Sequence, residues 1–500
     1  MLHYTGHPFI DVGVAAITAF LEKSDPAEVT GQDLEQVVDY IEKNYIRPPL
    51  RGHLTMAFTS NAWFIQDAYN PDKSGLSAEE RTAREATRKD WAARHLRQWQ
   101  VAVAQSPTEV CVFTGKPAID TTLSGKLPQS RAGRAQVPLL QGDDAINFFT
   151  YGDSGLPISG VALLALQFFP MGCAKCGVGL LAVHSDNDQL TYAITRRFLK
   201  HNQDNVTKAQ IAKEDKLPGT SRSLKTLLIE TLQEVERQRQ RKEPAASLTA
   251  YNFNNGKTPS LELYHLPLEI VSFLQIVNTT TYHEAWQQLV QRGWQRAVPK
   301  QGKKKKADAA ATYEPKRNYL YEDLFTLPES SSRFIRTYFL RVPPPGSFDD
   351  DPRRDYSLHR EFHLVSWSLI ELFLRKVMLM DEERIKRICK LGDGLATYVR
   401  KQGGGGKRFF RTFFTENNPA NFRSLLIKAN IAHVKAGYDA LFDVYTYIDV
   451  FEEGYEVMRP DWRLARDLVL MRMIDQLQDW LAHNPDVTAS ETDHEQVVAE

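Results

Sequence analysis

Apolar residues recur at helical spacing towards both ends of the chain, and between the ends they alternate or gather in short runs. Near the start, Val12, Ala15, Ile17, Phe20 and Leu21 cover one broad face, with Asp11 placed to cap the helix. Thr30 is placed to cap a second helix, in which Leu34, Val37, Val38 and Ile41 repeat at helical spacing. A strongly charged stretch over 78–99 predicts a third, with Trp91, Leu96 and Trp99 as core anchors. Over 109–183, apolar runs broken by Gly and Pro predict strands. A further strand pair is expected at 247–253 and 261–264, around the turn-forming Asn254, Asn255, Gly256 and Lys257. Residues 189–200 and 221–241 read as helices between the two strand regions. Beyond residue 355, the runs 362–380, 382–399, 421–434, 437–451 and 462–481 are separated by short breakers, the pattern of a helical bundle.

This pattern predicts an α+β fold: a mixed N-terminal domain with helical insertions over 1–290, a connector over 291–355, and an all-α bundle over 356–500. The connector holds Lys303, Lys304, Lys305 and Lys306 in a stretch with no apolar face, then a proline run at 343–345 followed by Gly346 and the acids Asp349, Asp350 and Asp351. At 500 residues the chain exceeds what one core usually serves. Its 62 basic and 62 acidic residues balance, so any nucleic-acid contact must come from local patches. Four cysteines suit a reducing cytosol. No apolar run approaches the length of a membrane span, and Met1-Leu2-His3 opens nothing like a signal peptide, so a cytoplasmic protein without membrane contact is expected.

Motifs for catalysis are missing: no GxxxxGK[ST], HExxH or GxSxG pattern occurs, and no paired carboxylate cluster that would hold catalytic metals. A binding protein rather than an enzyme is expected. His53, His265, His283 and His363 have no ligand spacing, and the glycine run at 403–406 before Lys407 and Arg408 lacks the Walker pattern, reading as a flexible hairpin between helices. Cys173-Ala-Lys-Cys176 lies between Gly172 and Gly177, and Cys111-Val-Phe-Thr114-Gly115 looks like a second such turn with one thiol replaced by a hydroxyl. Two CxxC turns would supply the four thiolates of a structural zinc site. Three thiolates and a threonine read instead as turns, at 111–115 and 172–177, that kept their shape after the metal was lost. His184 would complete a Cys3His set only if its strand turned it inward. No cofactor is expected, and Cys111, Cys173 and Cys176 are candidate remnants.

Together with the opening segment Tyr4-Thr5-Gly6-His7-Pro8-Phe9-Ile10-Asp11-Val12-Gly13-Val14-Ala15-Ala16-Ile17, the two cysteine turns at this separation resemble the CXXC-CXXC lineage of CRISPR-associated proteins. These are the large subunits of type I-B Cascade, of the Cas-eight-b type. The likeness runs to about residue 185, with a similar helical character near the C-terminus. It implies a non-catalytic subunit of an RNA-guided complex that reads a protospacer-adjacent motif (PAM) in duplex DNA, helps form the R-loop and guides the displaced strand. The implied partners are backbone subunits carrying CRISPR RNA, the target duplex and its displaced strand, and a helicase-nuclease or transposition proteins downstream. The alternative is a stand-alone metal-dependent nuclease or nucleotide-processing enzyme.

Candidate DNA contacts fall in three groups. On the motif-reading side, Asn61, Gln66 and Asn70 offer amides to base edges, Trp63 a wedge and Lys73 a phosphate contact. Lys126, Gln129, Arg131, Arg134 and Gln136 form a second loop without apolar periodicity, expected to order on DNA. For a strand track, Arg384, Lys386, Arg387, Lys390, Arg400, Lys401, Lys407, Arg408, Arg411, Arg423 and Lys428 stand against only Asp393 and Glu416, with Lys303 to Lys306 added from the connector. Phe409, Phe410, Phe413 and Phe414 interleave with these charges and read as core. Met378 and Met380 are candidate internal starts for a separate small subunit.

Overall fold

The first helix of the chain is apolar on nearly every side, and its surroundings explain why. In the computed structural model, which describes residues 2–59, 62–100, 109–140, 152, 154–239, 243–256, 258–297, 314–346, 348–402, 404–453 and 457–487, helix α1 (Pro8–Phe20) buries Phe9, Ile10, Val12, Val14 and Ile17 at the centre of a core. Pro8 sits at its first turn, where a missing N–H costs nothing. Asp11 does not cap it. The Asp11 carboxylate instead reaches back to the N–H groups of Thr5 (2.7 Å) and Gly6 (2.9 Å) and tethers the entering chain. Helix α2 (Gly31–Asn44) starts from Thr30 as expected, in a capping box closed by Asp33, and Leu34, Val37, Val38 and Ile41 are buried. A short α3 (Leu50–Leu54) follows, then α4 (Ala78–His95) from a second capping box, Ser77 with Glu80.

The strand-rich middle departs from expectation. A two-residue pair, β1 (Arg131–Ala132) and β2 (Leu156–Pro157), precedes α5 (Gly160–Phe168), a helix where strands were predicted. Its apolar run VALLAL is short and has no polar break, so periodicity could not tell a buried helix from a strand. Ser159 caps it, and α1 packs across it. Next come β3 (Ala174–Cys176), β4 (Gly179–Ser185), α6 (Asp188–Ala212), α7 (Leu224–Gln238), β5 (Leu248–Asn254) and β6 (Ser260–Leu266). The four strands form one antiparallel sheet in the order β3-β4-β5-β6, with Leu180 opposite Phe253 and Phe253 opposite Leu261. Leu180, Ala182 and Phe253 face the α1 core. The predicted turn is anchored by Asn255, which is fully buried: its N–H donates to Met56 O (2.8 Å) and its amide to Ala57 O (2.9 Å).

Two compact units divide at Leu268/Glu269, so residues 269–290 and the expected connector belong to the second unit. Helix α8 (Leu268–Val277) begins at the division, followed by α9 (Thr280–Arg292), α10 (Tyr319–Asp323), α11 (Ser331–Phe334) and α12 (Leu358–Glu361). The stretch read as a polar connector is instead packed. Arg341 is fully buried, donates to Glu361 (2.9 Å) and lies 3.4 Å from the Tyr356 ring centroid. Arg353 clasps Asp351 at 2.7–3.1 Å and reaches Asp323 at 2.6 Å. The basic run 303–306 lies outside the described residues.

The bundle comprises α13 (Trp367–Lys376), α14 (Glu382–Lys401), α15 (Gly404–Thr415), α16 (Pro419–Lys435), α17 (Val444–Phe451) and α18 (Trp462–His483). A small pair, β7 (Glu452–Glu453) with β8 (Val457–Met458), departs from the all-α expectation. The glycine run read as a flexible hairpin is instead the start of α15. Its glycines let the helix pack: a Cβ on Gly406 would stand 2.2 Å from Val399 O. Phe409, Phe410, Phe413 and Phe414 are buried, as their reading as core required.

Candidate nucleic-acid interface

The two cysteine segments differ in shape: the first is a turn, whereas Ala174–Cys176 of the second is the strand β3, so the turn expected over 172–177 is not formed and the chain reverses only after Cys176. At the first, Cys111 N–H donates to Lys116 O (2.8 Å), Gly115 N–H donates to Cys111 O (3.0 Å), and Gly115 takes φ +65°. Thr114 Oγ1 lies 3.0 Å from Ser159 Oγ, which ties this turn to the start of α5. At the second, Cys173 is fully buried with its Sγ 3.4 Å from Phe169 O, and Asn202 holds the Met171 and Cys173 carbonyls at 2.9 and 2.8 Å. Burial pushes the Cys173 thiol well up and the Cys176 thiol up to about 12, so both hold their protons more tightly than a free thiol. His184 is committed elsewhere: its Nε2 lies 3.1 Å from Asp11 Oδ2. Among the described residues no group of three or more His, Cys, Asp or Glu side chains could hold a metal ion.

The first candidate loop is divided between core and surface. Trp63 is buried and stacks on Trp91 at 4.6 Å, so it anchors α4 and cannot wedge between bases. The Asn70 side chain accepts from Asp72 N–H (3.0 Å), and Lys73 is paired with Asp67, both well exposed. Gln66 is exposed, and Asn61 lies outside the described residues.

The second loop is folded rather than waiting for DNA. Arg131 is buried, paired with Glu109, and sits on β1 opposite Pro157. Arg134 donates to Asn255 Oδ1 (3.0 Å) and to the carbonyls of Asn255 (3.1 Å) and Gly256 (2.8 Å), and Gln136 accepts from Gly133 N–H (3.1 Å). Removing either arginine would leave buried acceptors unmet, so both are structural. Lys126 and Gln129 remain at the surface, Gln129 bonded to Asp120.

The basic run of the bundle meets acids, most of them distant in sequence. Arg384 grips Asp461 at 2.8 and 3.0 Å and also reaches Val450 O. Arg387 pairs with Asp449 (3.3 Å), Lys390 with Asp443 (2.7 Å), Arg423 with Glu452 (2.5 Å) and Lys386 with Glu383 (2.7 Å). The Lys390 ammonium, with the Thr446 N–H, holds the Asp443 carboxyl well below the usual range. Arg400 donates to Gln476 O, Lys401 lies over the Tyr438 ring at 3.7 Å, Arg411 reaches Val487 O (3.3 Å), and Lys407 is half-buried. Arg408 and Lys428 are exposed. Four of these partners, Asp443, Asp449, Glu452 and Asp461, lie in the stretch that follows the basic one, and folding brings them back onto it.

Sequence reading also missed the polar cluster over the start of α1. Asp11 is almost fully buried; burial raises its pKa, but hydrogen bonds from His184 and Thr5 outweigh that and leave it lowered. Burial, then the charge of Asp11, raises the Asp188 pKa, and burial lowers that of His7. The cluster pins the opening segment to β4. No helix among the described residues is long and apolar enough to cross a membrane. Compared with known proteins, the chain matches no family model, no curated protein and no solved structure.

Proposed function

We propose that the chain is the non-catalytic large subunit of a type I-B CRISPR RNA-guided Cascade complex, which reads the protospacer-adjacent motif in duplex DNA, assists R-loop formation and contacts the displaced strand. The observation that carries this reading is the opening segment Tyr4 to Ile17 together with the spacing of the Cys111-to-Gly115 turn and the Cys173-to-Cys176 pair along the chain. In this reading the complex is cytoplasmic, its other subunits carry the CRISPR RNA, and cleavage or transposition belongs to recruited proteins. Zinc is not required in this reading: the Cys111 turn closes through backbone hydrogen bonds and the second cysteine pair is held in the sheet. The motif-reading surface reduces to Gln66, Lys73, Lys126 and Gln129, and the strand track to Arg408 and Lys428 with the exposed pairs of Lys386 and Lys390. Exposed ion pairs contribute about 0–1 kcal/mol, so a phosphate can displace their carboxylates.

The test is co-purification with the backbone subunits, followed by target-duplex binding across a salt series. Lys126→Ala, or Arg408→Glu with Lys428→Glu, should weaken binding about tenfold and flatten the salt slope. Arg131→Ala should lower stability instead. A purified chain that associates with no CRISPR RNA subunits, or that cleaves DNA alone when given a divalent metal, would overturn the proposal.

A further inference from the structure

Helices α6 and α7 leave a cavity of about 970 Å³ between them, which residues 218–221 of the joining loop help to line. That volume is in the range of small-molecule sites. Arg197 pairs with Glu234, and Arg239 donates to Asn187 Oδ1 (3.4 Å), so the two helices run antiparallel. Thr231 of α7 therefore comes near the level of Lys200 of α6, and Asn205 lies further towards the loop. Thr220 N–H donates to Lys175 O (3.1 Å) and Lys175 Nζ to Leu217 O (2.6 Å), which fixes the loop against β3.

Three of the four acids lining the cavity are matched by arginines: Glu234 by Arg197, Glu230 by Arg222 (3.2 Å) and Glu243 by Arg239. The cations are not all used in this way. Arg196 and Lys200, one turn apart on α6 and both exposed, form no ion pair or side-chain hydrogen bond among the described residues. Burial, then the charges of Lys208 and Arg197, lowers the pKa of His201 beside them, against the opposing Asp204. Deeper in, Asn205 is 7% exposed and Thr231 2%, and neither side chain has a hydrogen-bond partner among the described residues. Buried polar side chains are nearly always paired, so this amide and this hydroxyl are matched to a group from outside the chain. Ala193, Leu227 and Val235 add apolar surface to the same walls.

These groups decide what fits. Uncommitted cations at the mouth select an anion, and an arginine beside a lysine suits a phosphate. A primary amide presents a donor next to an acceptor, the pattern that base edges also carry. Lys200 and Asn205 are five residues apart, about 7.5 Å along the helix axis, a span that a ribose bridges between phosphate and base. The apolar walls accept the faces of a flat ring. We propose that this cavity binds a nucleoside phosphate, with its phosphate on Arg196 and Lys200, its sugar near Thr231 and its base edge on Asn205. A free mononucleotide and the phosphorylated end of a strand share this chemistry. The proposal is independent of the Cascade reading, which uses none of these residues.

Isothermal titration of the purified full chain with adenosine monophosphate should give a Kd on the order of 100 µM, with adenosine and inorganic phosphate each at least about tenfold weaker. Arg196→Glu and Lys200→Glu reverse exposed charges, so thermal melting should hardly change while nucleotide affinity falls about tenfold or more. Asn205→Ala and Thr231→Val should weaken the nucleotide but leave inorganic phosphate as it was, a split that a loss of stability alone would not produce. A 5′-phosphorylated dinucleotide that binds more tightly than the mononucleotide would identify the end of a strand as the source, and equal or weaker binding a free nucleotide. No saturable binding of any nucleoside monophosphate, inorganic phosphate binding as tightly as the nucleotide, or unchanged affinity in Lys200→Glu would overturn the proposal. So would a glutamate-rich peptide that competes as well as the nucleotide, which would make the cavity a site for acidic polypeptide.

Discussion

His53 shows how one residue ties packing to pH. It is fully buried on α3, donates from Nε2 to Pro170 O (2.8 Å), and its Nδ1 has no partner. Burial lowers its pKa from 6.5 to about 4. The unfolded chain therefore takes up a proton near 6.5 that the folded chain refuses until near 4. The stability this represents is fully present above pH 6.5 and is lost as pH falls to 4, a difference of about 3 kcal/mol at most. His53→Gln, which keeps the donor, should be less steeply destabilised between pH 6.5 and 4.5 in urea melts. An acid limb as steep as the parent's would remove His53 as its source. The histidine was visible in the sequence, but nothing local distinguished it from the exposed His265, because burial is set by segments more than a hundred residues away.

Among the elements, α1 and α5 meet more closely than side chains allow. A Cβ on Gly13 would stand 2.2 Å from the Ala165 carbonyl oxygen, so Gly13→Ala should force the helices apart and cost about 1–3 kcal/mol or more in denaturant melts. Gly52 on α3, with nothing within 4 Å of its Cβ position, is the control: Gly52→Ala should be neutral or stabilising by up to about 1 kcal/mol. Equal costs would rule out close approach as the cause. Helix α2 was legible because its cap and periodicity lie within a few residues, and α4 from its run of charged helix formers, though it ends at His95 rather than near 99. Helix α5 was not, since a buried element leaves no polar face to mark its period. Helix α15 was missed because glycine reads as a breaker until the neighbouring helix that demands it is known.

For the whole molecule, Met378 and Met380 fall between α13, which ends at Lys376, and Asp381, whose carboxylate caps α14 at Arg384 N–H (3.0 Å). Translation starting there would omit α13 and keep the cap. Helix α13 buries Phe373 against Phe273, Phe334 and Phe339, all earlier in the chain, whereas α14 packs on α15, α17 and α18, which follow it. A fragment from Met378 to the C-terminus should therefore be helical and melt cooperatively, though less stably than the bundle within the full chain. A non-cooperative melt would leave no independent small subunit, and mass spectrometry of the untagged gene's products would show whether one is made. Local rules decided much of this chain: capping boxes, helical stripes and the phenylalanine core of α15 all arise from neighbours in sequence. Which charges face solvent was decided only by tertiary structure. Arg131 finds Glu109 across 22 residues, Arg384 finds Asp461 across 77, and Arg134 finds Asn255 across 121. A guanidinium reads the same in any sequence, and only folding brings to it the acceptor that turns a candidate contact into a strut.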